Sequence, residues 1–203
     1  MSSVLKKTIK AYEKIAEKYN EINYDNSVMI EELTFFLENL QGDIVLDVGC
    51  GHGRDCEFLS QNGVVTIGLD LSVELLKIAR KRSMNSSYLL ADMRYPPIKE
   101  KTCNGLWVCA SFHHIEKEDA SETIRRFFEI LVPEGIIFFS VKKGDFTGFE
   151  NCNRYEGMRR FYSYYSNKEA IELLTNSGFY IISQFNDIDI KERNWVNIFA
   201  TKL

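Results

Sequence analysis

A glycine-rich loop and one carboxylate carry the clearest chemical signal in this sequence. The run Asp-Val-Gly-Cys-Gly-His-Gly at 47–53 follows a short apolar stretch, and Asp70 ends a second apolar stretch about twenty residues later. Glycines at the exit of a buried strand let the backbone approach a ligand closely. A carboxylate at the end of the next parallel strand can accept hydrogen bonds from ribose hydroxyls. The spacing therefore predicts a site for an adenosine-containing cofactor.

The spacing of the glycines separates two classes of such cofactor. A dinucleotide fingerprint has its third glycine three residues after the second, and that position is Arg54 here. In this loop the glycines recur at every second residue, and Asp47 precedes them. The loop therefore disfavours a nicotinamide dinucleotide, although an NAD-dependent oxidoreductase stays among the alternatives.

The length and net charge of the chain limit the number of domains and the kinds of partner that it can have. The chain has 203 residues, 45% of them hydrophobic and 27% charged, which is enough for one α/β core and little for a second. We expect one domain over 1–203. The net charge of −4 argues against a protein whose whole surface binds nucleic-acid phosphates, but it allows a local basic patch.

The cysteine pattern and the hydropathy indicate the compartment. The five cysteines form no Cys-x-x-Cys pair, and no histidine stands at a zinc-finger spacing, so we expect neither a disulfide framework nor a metal site. No apolar run approaches the length of a membrane helix, and the N-terminus lacks the apolar core of a signal peptide. These features predict a reduced, cytoplasmic protein without a membrane partner.

Hydrophobic periodicity predicts alternating strands and helices. Helices are expected at 3–20, 27–40, 53–61, 73–82, 120–131 and 168–176, and strands at 44–48, 64–69, 88–91, 105–110, 136–141, 179–186 and 195–200. Such alternation indicates a parallel sheet with helices on both faces. The connection 187–193 is too short for a crossover helix, so the last two strands are expected to form an antiparallel hairpin.

Taken together, these motifs resemble those of class I S-adenosylmethionine-dependent methyltransferases. The loop at 47–53 resembles the family's first motif, residues 68–72 its second, and residues 91–93 its third, while 106–114 resembles the motif on the fourth strand. Glu134 stands where the family usually has a glycine. The resemblance implies a Rossmann-like, seven-stranded, mostly parallel sheet that ends in an antiparallel hairpin. It also implies S-adenosylmethionine as cofactor and S-adenosylhomocysteine as product.

The resemblance carries over to individual positions of this chain. It implies that Asp70 binds the ribose, that Asp92 binds the exocyclic amine of the adenine, and that Asp47 binds the amino-acid end of the cofactor, directly or by ordering the loop. The full set of expected cofactor-binding residues is Asp47, Gly49, Cys50, Gly51, Gly53, Asp70, Leu71, Asp92, Met93, Ala110, Ser111 and Tyr19.

Two further segments are candidates for catalysis and acceptor binding. His113 and His114 follow the fourth strand, where one could act as a general base or both could only shape the pocket. The insertion 142–166 contains arginines beside tyrosines, which suggests an anionic or ring-bearing acceptor, or alternatively a surface loop. Its candidate acceptor-binding residues are Arg159, Arg160, Tyr162 and Tyr164. The N-terminal helices within 1–42 are a candidate lid over the cofactor.

These inferences predict a methyltransferase that acts on a small, anionic or aromatic acceptor. A weaker likeness to tRNA wobble-uridine methyltransferases, in the segment 160–165, makes tRNA an alternative acceptor. A non-catalytic scaffold with the same fold is another alternative. The sequence names neither the acceptor, nor the methylated atom, nor the oligomeric state.

Overall fold

The computed structural model describes residues 2–25, 27–155, 157–185 and 195–203. The helices are α1 Ser3–Ile22, α2 Ile30–Glu38, α3 Arg54–Gln61, α4 Val73–Arg82, α5 Lys117–Ile130 and α6 Asn167–Thr175. The strands are β1 Ile44–Val48, β2 Val65–Asp70, β3 Ser87–Leu90, β4 Cys103–Cys109, β5 Leu131–Lys142, β6 Thr147–Cys152, β7 Met158–Ser163, β8 Phe179–Phe185 and β9 Trp195–Lys202.

One seven-stranded sheet has the order β3-β2-β1-β4-β5-β9-β8. The first five strands run parallel, and β9 pairs antiparallel with both β5 and β8. The strand order reverses between β1 and β4, so the connections that leave their carboxyl ends turn to opposite faces of the sheet and leave a crevice. The predicted Rossmann-like sheet with its C-terminal hairpin is confirmed. The predicted connection 187–193 lies outside the described residues.

Both faces of the sheet are covered by helices, as the alternating pattern predicted. On one face, Phe36 of α2 packs edge-on against Trp107, which stacks on Phe138 with the ring centroids 4.2 Å apart. On the other face, Ile124 and Phe127 of α5 belong to the larger apolar cluster. Within the described part of the chain, no helix has a stretch long and apolar enough to span a membrane.

Several expected elements have other bounds in the structure, most clearly the second helix and the fifth strand. The helix expected at 27–40 begins as a 3-10 turn, Ser27–Met29, and becomes α-helical only at Ile30. Strand β5 begins at Leu131 rather than at 136, and its pairing with β4 is irregular between Cys103 and Gly105. Strand propensity alone could not locate this early start, because the pairing with β4 defines it.

The insertion at 142–166 contains an element that the sequence analysis missed. Strands β6 and β7 pair antiparallel as a separate two-stranded sheet. The inward side of this hairpin faces α1, and the amide of Phe161 donates to Thr8 Oγ1 at 3.1 Å. Since an isolated hairpin is marginally stable in water, its packing against α1 explains why local sequence signals were weak.

We predict that Phe36→Ala lowers the free energy of unfolding by about 3–5 kcal/mol, because it leaves a cavity beneath Trp107. Phe36 is fully buried, whereas Val28 on the preceding 3-10 turn is 47% exposed and provides a matched control. Chemical denaturation followed by tryptophan fluorescence measures both variants. Equal decreases in the free energy of unfolding for Phe36→Ala and Val28→Ala would contradict the conclusion that Phe36 anchors α2 to the sheet.

Candidate functional site

A pocket opens at the carboxyl ends of β1, β2 and β4, at the point where the strand order reverses. The glycine loop forms one side, and α1 covers another with Leu5, Thr8, Ile9, Tyr12 and Tyr19. Of the expected site residues, it brings together Tyr19, Asp47, Gly49, Cys50, Gly51, Asp70, Leu71, Met93, Ala110, Ser111 and His114. Residues from five separate segments therefore converge on one cavity.

Backbone geometry makes glycine necessary at two positions of the loop. Gly49 and Gly51 have φ values of 74° and 53°, in the left-handed region. A Cβ on Gly49 would lie 2.3 Å from Cβ of Ser111, so this glycine lets the loop pack against the exit of β4. A Cβ on Gly51 would meet only Tyr19, at 3.9 Å, so it would project into the pocket. Gly51 is therefore where a ligand can approach the backbone most closely.

Gly53 has a different role from the one the resemblance implied. It does not line the pocket, and a Cβ there would lie 2.8 Å from Cβ of Ala79 on α4. Its φ of 76° starts α3. The third glycine thus permits close packing between this turn and α4, which only the tertiary structure could show.

Asp70 ends β2 and joins it to the glycine loop. Its Oδ2 accepts from the amide of Gly51 at 2.9 Å, and its Oδ1 accepts from the amide of Ser72 at 2.8 Å. These bonds orient a carboxylate that also lines the pocket beside Leu71. Each carboxylate oxygen has further acceptor capacity, which suits hydroxyl donors on a ligand.

Buried charged groups behind the loop form a cluster that the sequence analysis found only in part. Burial raises the pKa of Asp47, whose Oδ2 accepts from Sγ of Cys56 at 3.1 Å. Burial also opposes ionisation of Asp55, but pairing with Arg54 outweighs it and lowers the pKa of that carboxyl. Asp55 and Arg54 both line the pocket and were missed as site residues. Their position in the first turn of α3, directly after the loop, was the available signal.

The exits of β3 and β4 complete the cofactor side of the pocket. Ala91 and Met93 line it, while the intervening Asp92 forms a 2.7 Å ion pair with Arg94 and lies outside the lining. Ala110 has an unusual φ of 54° for a residue with a side chain, and Ser111 Oγ donates to the carbonyl of Val48 at 2.5 Å. The adenine role of Asp92 stays a prediction.

The two candidate catalytic histidines occupy different environments. His114 lines the pocket, and its Nδ1 lies 2.6 Å from the carbonyl of Phe161, so Nδ1 donates its proton there. Nε2 then accepts from the hydroxyl of Tyr12 at 2.8 Å. Burial, reinforced by the charge of Arg160, lowers the pKa of His114 to about 3. His114 is therefore neutral, and its one lone pair is already bonded.

His113 lies behind the pocket. Its ring packs against Tyr162 and Trp195, with the centroids 5.2 and 5.5 Å away, and burial holds its pKa well below the usual range. Neither histidine is placed as an effective general base, which favours the alternative that they shape the site.

Three of the four candidate acceptor-binding residues, Arg160, Tyr162 and Tyr164, contact one another in series, whereas Arg159 lies apart. Arg159 and Arg160 are adjacent on β7, so their side chains leave opposite faces of the hairpin. Arg160 is buried and donates through Nη1 to the hydroxyl of Tyr12 at 2.8 Å, whereas Arg159 is exposed. Tyr162 is buried beneath Lys142, and Tyr164 bonds to Lys142 and Glu150. Arg160 reaches the pocket through Tyr12, and Tyr162 reaches it through the ring of His114, whose centroid is 4.7 Å away.

Comparisons with known proteins agree with this architecture. A protein-family model described as a methyltransferase domain matches residues 45–135. A malonyl-[acyl-carrier protein] O-methyltransferase from Hamiltonella defensa is 35% identical over 124 residues, which cover 58% of this chain and 47% of that protein. A ubiquinone biosynthesis O-methyltransferase from Pasteurella multocida is 28% identical and covers 69% of this chain and 66% of that protein.

A solved structure gives the same assignment of the fold. The 1,6-didemethyltoxoflavin-N1-methyltransferase of Burkholderia thailandensis superposes with a TM-score of 0.74 at 18% identity, over 96% of this chain and 87% of that one. The methyltransferase-domain match over residues 45–135 and this shared fold support assignment to the class I S-adenosylmethionine-dependent methyltransferase family. It spans less than two thirds of the length of each of the two curated relatives.

We predict that all three histidines stay neutral down to about pH 5. Burial is the largest cause in each case, and it lowers the pKa of His52 to about 4 and that of His114 to about 3. Since a lowered pKa keeps the neutral form dominant at every pH above it, the imidazole C–H signals in NMR spectra should not titrate between pH 8 and pH 5. A midpoint near 6.5 for any histidine would show that its burial has been misjudged.

Proposed function

We propose that this chain transfers a methyl group from S-adenosylmethionine to a small anionic acceptor. The observation that carries the proposal is the pocket in which Gly51 leaves open space beside a carboxylate, Asp70, at the next strand exit. The position of Asp70 at this strand exit supports a role in binding the ribose, as in the nucleotide-binding sheets that share this topology. Asp47 and Asp70 also suit a ligand with a cationic end.

The chain's own residues position the reactants and exclude water. S-adenosylmethionine, when bound, supplies a methyl group on a sulfonium cation. A lone pair of the acceptor attacks that methyl carbon in line with the carbon–sulfur bond, and the sulfur leaves as a neutral thioether. Tyr12 and Tyr19 of α1 cover the pocket with an edge-to-face ring pair 5.4 Å apart, which supports the role of this helix as a lid. The other N-terminal helix, α2, has its Leu33 and Phe36 in the core instead.

The charge at the acceptor side supports an anionic substrate. Arg160 is 5% exposed, and its Nε has no partner among the described residues. Its guanidinium lies over Tyr12 at 5.0 Å and, next to burial, is the strongest influence that lowers the pKa of His114. This positive field behind Tyr12 and His114 favours a carboxylate or phenolate.

An acceptor that is already anionic needs no general base. Its lone pair forms the new bond to carbon, the carbon–sulfur bond breaks toward sulfur, and no proton has to be removed. Neutral His113 and His114 are compatible with this chemistry. The names of both curated relatives describe O-methyltransferases, which supports oxygen as the methylated atom.

Transfer of label from methyl-labelled S-adenosylmethionine tests the proposal. A panel of small carboxylates, phenols, amines and tRNA should show uptake by a carboxylate or phenol. Transfer to tRNA alone would replace the small acceptor by the nucleic-acid alternative. Calorimetric binding of S-adenosylhomocysteine without turnover on any acceptor would favour the scaffold, and binding of NADH in its place would favour an oxidoreductase.

The space at Gly51 generates a prediction with a close control. Gly51→Ala should weaken S-adenosylhomocysteine binding at least about tenfold, because the new methyl group enters the pocket. Gly63 has a φ of 85° and no atom within 4 Å of its Cβ position, so Gly63→Ala imposes similar backbone strain outside the pocket. Calorimetry should find the affinity of the Gly63→Ala protein unchanged. Similar weakening in both variants would indicate strain rather than loss of ligand space.

The two arginines on β7 provide a second matched pair. Arg160→Met should raise KM for the carboxylate or phenol identified in the panel by about 10- to 100-fold, because it removes the buried positive charge behind Tyr12. Arg159→Met, on the opposite face of the strand, should leave that KM unchanged. Donor affinity measured by calorimetry serves as the folding control. Equal effects of the two variants on KM would rule out the electrostatic role of Arg160.

A further inference from the structure

A second cavity lies on the outer side of the contact between α1 and the β6–β7 hairpin. We call it the basic groove; it is lined by Lys7, Lys10, Ala11, Lys14, Phe149, Gly157, Met158 and Arg159. It shares none of these residues with the cofactor pocket. The groove therefore contains four cations and an apolar floor but no carboxylate among its described lining residues.

The four groove cations form a cluster of positive charge on the surface. Some exposed cations elsewhere pair with nearby acids, as Lys77 does with Glu74 and Arg125 with Glu122, while others such as Lys81 have no ion pair among the described residues. Among the residues that the structure describes, no carboxylate lies within ion-pair distance of the four groove cations. A cluster of like charges repels itself, and here it stands on a chain of net charge −4. A negatively charged partner would relieve that repulsion.

The spacing of the lysines indicates the shape of the partner. Lys7, Lys10 and Lys14 stand at i, i+3 and i+7 on one face of α1, a span of about 10 Å along the helix axis. Carboxylates at the same spacing on a second helix would face all three. Apolar residues beside them would cover the floor formed by Ala11, Phe149 and Met158. Arg159 adds a cation from the hairpin side.

The same contacts disfavour a nucleic-acid partner. The ring of Phe149 already lies beneath the cations of Lys7 and Arg159, at 5.6 and 5.7 Å, and packs edge-on against Phe161. A base could stack on it only by displacing those cations. Four cations on an acidic protein would also bind phosphates weakly at physiological salt.

We propose that the basic groove docks an acidic, amphipathic helix of a partner protein. Charge complementarity along α1 orients that helix, and Met158, beside the Phe149 ring that the cations cover, contacts its apolar residues. Since α1 also covers the cofactor pocket, such a partner would bind against the back of the helix that bears Tyr12 and Tyr19. The proposal concerns a separate surface, so it stands whether or not methyl transfer is established.

Fluorescence anisotropy with the full chain tests this docking. The probe is a fluorescein-labelled helical peptide with glutamates at i, i+3 and i+7 and leucines on the adjoining face. The triple variant Lys7→Glu, Lys10→Glu, Lys14→Glu should bind it at least about tenfold more weakly than the unmodified chain. The control variant Lys81→Glu, Lys99→Glu, Lys168→Glu changes the net charge equally at exposed positions away from the groove and should retain binding. Circular dichroism confirms that both variants are folded.

Three further outcomes decide the proposal. A peptide with lysines in place of the glutamates should bind the triple variant, since the charges are then reversed on both sides. Replacing the leucines by glutamines should weaken binding to the unmodified chain. No binding of the original peptide, or equal losses in the groove and control variants, would overturn the proposal. It would also be overturned if a single-stranded oligouridylate bound more tightly than the peptide and lost its affinity in the same triple variant.

Discussion

The carboxylate of Asp70 is the constraint on which the site depends. Two neighbouring parallel strands, β1 and β2, end side by side at this edge of the sheet. Asp70 accepts from the amides of Gly51 and Ser72, so one side chain fixes both the glycine loop and the start of α4. Because these bonds set the shape of the loop, the free space beside Gly51 follows from them.

A second set of contacts joins the N-terminal helix to the acceptor side. Arg160 donates to Tyr12, Tyr12 donates to His114, and His114 donates to the carbonyl of Phe161. This chain of hydrogen bonds links α1, the hairpin and the exit of β4 in one buried network. The charge of Arg160, the hydrogen-bonded imidazole of His114 and the covering helix α1 therefore depend on one another. A change in one of them alters the polarity around the others.

Much of the fold could be predicted because local patterns and tertiary packing agree. Strand β1 and helix α4 lie where their apolar periodicity indicated, and the side chain of Ser72 caps α4. The β6–β7 hairpin could not be predicted, since its stability comes from packing against α1. The glycine loop and Asp70 were found from spacing, whereas Arg54 and Asp55 were missed because their pairing becomes visible only in the folded pocket.

Apolar periodicity in the linear sequence was enough to predict the class of fold. The glycine spacing and the strand-ending carboxylate were enough to predict the place of the cofactor site, because both act through local backbone geometry. Tertiary structure decided which neighbouring residues share a site. Gly53 packs against Ala79 rather than facing the pocket, and Arg159 and Arg160 leave opposite faces of one strand. These distinctions depend on side-chain direction and on contacts between distant segments, neither of which the linear order of residues specifies.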